Sequence, residues 1–271
     1  MSDASARLRP ALQWRAPGRA APIERWAPTE VAVGLSFDGR PHTVLMATPR
    51  DAADLARGFT ITEGVAAPDE IVSVEVREEE LGLLVDVRLA EGAGRRKARP
   101  RKLEGRSSCG LCGVQRLADA VRPLPPAAAG VKIAHEAVPA ALADLEAVQA
   151  LGRSTRATHA AAFCNPDGQV QLLTEDVGRH NALDKLAGAM AREGRDAGSG
   201  FVLVTSRCSF EMVEKAVRMG AGMIVAVSAP TDLAVRRAEE AGLTLVALAR
   251  ADGHMVFSRP DRLVEAALEV A

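Results

Sequence analysis

The sequence predicts an α/β protein: a small α+β domain at the N-terminal end, followed by a larger domain in which helices alternate with the strands of one sheet. Three observations carry this. Short apolar, β-branched runs flank a single helical pattern between Glu30 and Leu89. From about Val138 onward, apolar strands and amphipathic helices alternate, as they do in an α/β sheet. A chain of 271 residues with 48% apolar content is long enough for one large core or two modest ones.

Residues 1–28 are rich in Arg, Ala and Pro and read as an extended or partly ordered arm, with Trp14 and Trp26 available to pack back onto the body. Glu30 to Phe37 and Thr43 to Ala47 read as strands joined by the Asp38-Gly39 turn signal. Thr48-Pro49 opens a helix, with Thr48 as N-cap, Pro49 at the first helical position, and Leu55, Phe59 and Ile61 toward its apolar side. Strands at about Ile71 to Val76 and Leu83 to Leu89 follow. With a basic linker and a cysteine loop they make an N-terminal α+β domain over 29–122. The linker packs Arg95, Arg96, Lys97, Arg99, Arg101 and Lys102 into a short stretch, which reads equally as a solvated charge run or as a contact for an anionic ligand or acidic partner.

Residues 123–271 make the second domain. Pro123 to Gly130 is a stiff connector. A helix over Val138 to Leu151 precedes strands Thr158 to Cys164 and Gln169 to Leu173, which the turn Asn165-Pro166-Asp167-Gly168 joins. A helix begins near Gly178. Strand Phe201 to Thr205, helix Ser209 to Met219, strand Met223 to Val227, helix Thr231 to Ala241 and strand Leu243 to Leu248 follow. A short strand Met255 to Phe257 and a terminal helix from Pro260 end the chain.

Lys and Arg (34) almost balance Asp and Glu (35), so no global field recruits nucleic acid or an anionic membrane, and any anion site must be local. With no Tyr, two Trp and six Phe there are few platforms for stacking bases. Four cysteines do not make a disulfide scaffold, and neither a signal peptide nor a membrane-spanning run is evident, so the reducing cytoplasm is the expected compartment.

The chemistry centres on Arg106-Ser107-Ser108-Cys109-Gly110-Leu111-Cys112-Gly113. Two thiols two residues apart between glycines suit a reactive pair, because glycine leaves no bulk beside either sulfur. A helix over about Val114 to Val121 would put them before a helix N-terminus, which favours thiolate over thiol. A CxxC pair taken alone is more often half of a structural zinc site. No second CxxC follows, but Cys164 and Cys208 could complete a four-thiolate site. A deaminase-type zinc site fits less well: Ser108, not Pro, precedes Cys109, and His135-Glu136 are adjacent rather than spaced.

Three polar stretches fall where a strand hands over to a helix, the usual place for ligands in open α/β sheets. The first runs from Thr174 to Asn181 and continues into Asp184 and Lys185. At helical spacing His180, Asn181, Asp184 and Lys185 share one face, and for Lys185 that face reads as solvent. Asp176, His180 and Asn181 suit either capping or ligand contact. The second, Thr205 to Met212, offers Arg207 and Ser209 to a phosphate, or else Ser209 as an N-cap with a Glu211 to Lys215 surface pair. The third holds Ser228 within Val227 to Asp232. Cys164 and Cys208 read as buried small hydrophobes. His42, His159 and His254 read as structural.

These residues resemble the formate dehydrogenase accessory sulfurtransferases, the FdhD family, over roughly Val31 to Leu263. The resemblance rests on Gly39-Arg40-Pro41-His42, Met46-Ala47-Thr48-Pro49, Gly58-Phe59 with Thr62-Glu63-Gly64, Ser107 to Gly113, Thr158 to Ala161, Glu175 to Ala182, Ser209 to Val213 and Ser228 to Thr231. It implies a cytoplasmic sulfur carrier with a cytidine-deaminase-like, three-layer α/β/α C-terminal domain and no deaminase zinc site. Such a protein takes sulfur from a cysteine desulfurase as a persulfide. It passes that sulfur to the molybdenum of bis(molybdopterin guanine dinucleotide), for which GDP is a mimic, before the cofactor enters formate dehydrogenase. Cys109 is then the persulfide-bearing residue and Cys112 its partner. Ala247, Leu248, Ala249, Arg250, Ala251 and Asp252 form a cofactor-binding stretch with Arg250 as its cation, and the family suggests a homodimer. Asp176 is the expected guanine contact and Arg207 or Arg250 the diphosphate contact. The family tends to have glycine where this chain has Arg156 and Ser206.

Overall fold

A computed structural model of the chain describes residues 5–93 and 123–265. Cys109, Cys112, the basic linker and the helix expected after them lie outside the described residues.

The first element is a β-hairpin, β1 (Ala6–Arg15) with β2 (Arg19–Pro28), where the sequence suggested an extended arm. Trp14 and Trp26 do not pack back but stand exposed. The N-terminal sheet follows, from β3 (Val31–Phe37), β4 (Arg40–Ala47), β5 (Ile71–Glu79) and β6 (Gly82–Leu89), in the order β4-β3-β6-β5. The β3–β4 and β5–β6 pairs are antiparallel and β3 runs parallel to β6. One face is covered by helix α1 (Ala52–Thr62), whose Ala52, Leu55, Ala56 and Phe59 fill a core with Val33, Leu35, Phe37, Val85 and Val87. The helix begins at Ala52 rather than Pro49, because Thr48 is used elsewhere: its N–H and hydroxyl both donate to Asp176 of the other domain.

The C-terminal domain contains β7 (Ile133–Ala134), α2 (Ala137–Val148), α3 (Ala150–Thr155), β8 (His159–Cys164) and β9 (Val170–Asp176). Then come α4 (Arg179–Glu193), β10 (Phe201–Val204), α5 (Phe210–Arg218), β11 (Met223–Ala226) and α6 (Asp232–Ala241). It ends with β12 (Thr244–Arg250), β13 (Gly253–Ser258) and β14 (Leu263–Val264). The six-stranded sheet has the order β13-β12-β11-β10-β8-β9, with β10, β11 and β12 parallel and the outer pairs antiparallel. Alternation along each strand sends Val202, Val204, Ile224 and Leu245 toward α4, α5 and α6, and Phe201, Leu203, Val225 and Val246 toward α2. The result is the expected three-layer α/β/α arrangement.

Two local readings change. The helix expected over 138–151 breaks at Gln149 into α2 and α3. The terminal helix expected from Pro260 is a 3₁₀ turn, Pro260–Arg262, leading into β14, which pairs with β7.

The domains meet where α1 crosses α4. A Cβ at Gly58 would overlap the Asp184 carbonyl, and one at Gly188 would overlap the Asp54 carbonyl, so both positions need glycine for the backbones to come this close.

Candidate functional site

The polar face of α4 does not meet solvent as the sequence suggested; it is sealed against the N-terminal domain. Lys185 is fully buried, and its ammonium lies 2.7 Å from Asp176 and donates to the Thr48 carbonyl. Asp176 is also fully buried: one oxygen accepts from Thr48 and Lys185, the other from the Gly178 N–H and the Asn181 amide. With both oxygens engaged this carboxylate has no edge left for a guanine, which corrects its expected role. Asn181 donates onward to the Met46 carbonyl and is likewise an interdomain residue. One turn along, Lys215 pairs with Asp184 at 2.8 Å and Glu63 at 3.0 Å, and Thr62 donates to Asp184. Lys215 therefore does not make the surface pair with Glu211 that its spacing suggested.

The remaining polar groups of the three strand-to-helix stretches lie at the end of the sheet where β10, β11 and β12 finish and α4, α5 and α6 begin, a span of about 10 Å from β10 to β12. Thr231 caps α6 by accepting from the Ala234 N–H, whereas Gly178 and Ser209, which precede α4 and α5, provide no side-chain cap. Uncapped first-turn N–H groups carry the positive end of the helix dipole. Four buried polar atoms in these first turns have no hydrogen-bond partner: Arg179 Nε, His180 Nε2, Ser209 Oγ and Glu211 Oε1. Each such group costs about 1–3 kcal/mol if left unmade, and four of them fall together here. His180 Nε2 stands 3.9 Å from Glu211 Oε2. Burial, then Lys215 and Arg179, push the His180 pKa down to about 3, so its ring is neutral. His159, across the ladder from Asp176, is held below its ordinary value by burial and Arg179.

The stretch Ala247 to Asp252 divides by position. The side chains of Ala247 and Ala249 are core, on opposite faces of the sheet. Between them Leu248 has φ +53°, a left-handed conformation unusual for a bulky aliphatic residue, at a bulge of β12. Its N–H donates to the Ser228 carbonyl at 3.3 Å, joining the ends of β11 and β12. The exposed Arg250 guanidinium donates to the Val227 and Ala249 carbonyls. Ala251 and Asp252 form the exposed turn into β13, and Arg207 is exposed in the turn after β10. The structure thus gathers His180, Arg207, Ser209, Ser228, Leu248 and Arg250 along one edge, and withdraws Asp176 and Asn181 from it. Glu211 and Arg179 join the edge. The sequence carried one sign of this, a Glu in the first turn of a helix that directly follows a strand.

Cys208 and Cys164 are buried on opposite faces of the central sheet, and burial pushes each thiol up to about 12. They cannot converge on one metal, which removes the four-thiolate zinc site. Among the described residues no three His, Cys, Asp or Glu groups come together to hold a metal ion. Nor is any helix among them long and apolar enough to cross a membrane.

Fold and topology together define an α/β protein whose mixed six-stranded sheet places several polar side chains at the carboxyl ends of its parallel strands. A sequence model described as the FdhD/NarQ family matches residues 28–264, and the chain belongs to that family. It is 47% identical over 236 residues to the "Sulfur carrier protein FdhD" of Cupriavidus necator, covering 86% of this chain and 82% of that one. It is 44% identical over 250 residues to the Agrobacterium fabrum protein of the same name, covering 91% and 92%. A Desulfotalea psychrophila protein assigned as a formate dehydrogenase accessory protein has the same fold, with a TM-score of 0.75 at 23% identity over 96% of this chain and 99% of that one.

Proposed function

We propose that this chain is a sulfur carrier in the maturation of formate dehydrogenase. The observation that carries the reading is family membership over residues 28–264, a span that includes Cys109 and Cys112, with relatives named as sulfur carriers. In the proposed cycle the Cys109 thiolate attacks the outer sulfur of a cysteine desulfurase persulfide, and the donor thiolate leaves. Cys112 then attacks the inner sulfur of the Cys109 persulfide. This expels sulfide to the molybdenum centre, which is substrate here, and leaves a Cys109–Cys112 disulfide that a cellular dithiol reduces. The recipient is formate dehydrogenase, and the working form is a homodimer.

The cofactor carries guanines and diphosphates, and the strand-end edge suits both. The uncapped starts of α4 and α5 and the exposed Arg207 and Arg250 offer donors to diphosphate oxygens. The Glu211 carboxylate, whose Oε1 has no partner, accepts from the guanine N1–H and amine in place of the saturated Asp176. Intact mass after incubation with desulfurase and cysteine tests the carrier step. A reducible gain of about 32 Da that Cys109→Ala abolishes supports it, and no gain in the wild-type protein refutes it. GDP binding tests the edge separately: Glu211→Gln weakens affinity about tenfold, and unchanged affinity removes Glu211 from the site.

A further inference from the structure

The β1–β2 hairpin is used neither by the core nor by the strand-end edge. Its strands are ten residues each, β2 packs beside α3, and it precedes all but one residue of the family match. A two-stranded ribbon has no third layer to stabilise it and is marginal alone. Its two faces differ. Pairing places Leu8 opposite Trp26, Leu12 opposite Pro22 and Trp14 opposite Ala20 on one face, with Pro10 opposite Glu24 between them, while the pairs Ala11–Ile23 and Gln13–Ala21 lie on the other. Leu8, Leu12, Trp14 and Trp26 are 42%, 71%, 65% and 48% exposed. The other face sets Arg9 directly against Arg25 and Arg15 against Arg19, with Arg7 beside Ala27. Like charges directly opposite repel. Yet none of these five arginines forms an ion pair among the described residues.

The hairpin carries five arginines against the single Glu24, in a chain whose overall charge is −1. Pro10, Pro22 and Pro28 have no N–H, so the ribbon is poorly suited to pairing edge to edge with another strand. What remains is an apolar face rich in Trp, backed by unneutralised arginines. That is the make-up of segments lying in a membrane interface, where Trp and Leu enter the headgroup boundary and cations hold lipid phosphates.

We propose that the β1–β2 hairpin is a peripheral anchor that seats this protein on an anionic lipid surface. Leu8, Leu12, Trp14 and Trp26 face the acyl boundary. The ribbon is one strand layer thick, so the long arginine side chains reach phosphates at the same depth. The near-neutral global charge is compatible with this, because the charge that matters is local.

The chain has no Tyr, and its two Trp are both on this face, so long-wavelength intrinsic fluorescence reports the hairpin alone. The full chain is mixed with vesicles of phosphatidylglycerol and phosphatidylcholine, and separately with phosphatidylcholine alone. The expected result is a shift of emission to shorter wavelength, quenching by brominated lipid and co-sedimentation, with the anionic vesicles only and reversed by high salt. Arg9→Gln combined with Arg25→Gln weakens partition about thirtyfold. Leu12→Ser reduces the shift. Neither variant alters the unfolding midpoint, because the substituted side chains touch no core. No shift and no sedimentation with anionic vesicles overturns the proposal. So does a shift that follows protein concentration without lipid, which assigns the face to a second copy, and so does equal binding by the arginine variant.

Discussion

Two polar regions around the start of α4 lie within a few residues of each other and differ in one respect. The interdomain face, with Asp176, Asn181, Asp184 and Lys185, is buried and every group on it is engaged: Asp176 meets Thr48, Lys185, Gly178 and Asn181, and Asp184 meets Lys215 and Thr62. The first turn, with Arg179 and His180 beside Ser209 at the start of α5 and Glu211 within it, is, Glu211 apart, only partly buried as residues but holds buried atoms with unmade bonds. Burial alone does not distinguish the two regions; satisfaction does. A saturated network has nothing left to offer a ligand, whereas an unsaturated one carries a standing cost that a ligand relieves.

The contrast breaks most directly at Asp176. Asp176→Ala leaves the Lys185 ammonium buried without its counter-charge and lowers unfolding free energy by about 3–5 kcal/mol in urea titration. A loss below about 1 kcal/mol would return Asp176 to the candidate site. The next effect is a pH dependence. His180 stays neutral in the folded state down to about 3 but takes a proton in the unfolded chain near its ordinary value of 6.5. The unfolded state therefore binds more protons between those values. Stability is fully present above 6.5 and falls on acidification toward 3, with a slope of up to about 1.4 kcal/mol per pH unit from this group. His180→Gln flattens that window, and an unchanged slope would place the acid sensitivity elsewhere.

Glu211→Gln sharpens the comparison in the opposite direction from Asp176→Ala. It removes a buried charge whose Oε1 has no partner, so unfolding free energy holds or rises by about 1 kcal/mol while GDP affinity falls. A clear destabilisation would show that Glu211 belongs with the structural network. The smallest effect is at Arg156, which ends α3 at φ +55°. Glycine takes that conformation freely, so Arg156→Gly raises the thermal midpoint by the equivalent of up to about 1 kcal/mol.

The strand and helix order, the Asp38-Gly39 turn and the three strand-to-helix clusters were legible in the sequence because each is a local signal of periodicity or turn chemistry. The fate of Lys185 was not. Charges at helical spacing read as a wet face, and the partner that buries Lys185, Thr48, lies 137 residues away in the chain. The same distance effect misplaced Asp176, whose guanine-reading role was inferred from chemistry that fits the residue but not its surroundings. Glu211 was hidden by a plausible i, i+4 partner, Lys215, which the structure gives to Asp184 and Glu63. In the hairpin, Leu8, Leu12 and Trp14 do alternate, but Pro10 interrupts the run and weakens the strand signal. Cys109 and Cys112 were legible as a CxxC motif and lie outside the described residues.

The crossing of Gly58 over Gly188 has a consequence for the history of this chain. Each glycine occupies room that the opposite backbone requires, so neither can acquire a side chain unless the two helices separate. Shuffling one domain against a foreign counterpart would succeed only where the incoming piece brought its own glycine to the crossing. A chimera that joins the two halves from different proteins therefore has to keep glycine at both positions for the helices to seat as they do here.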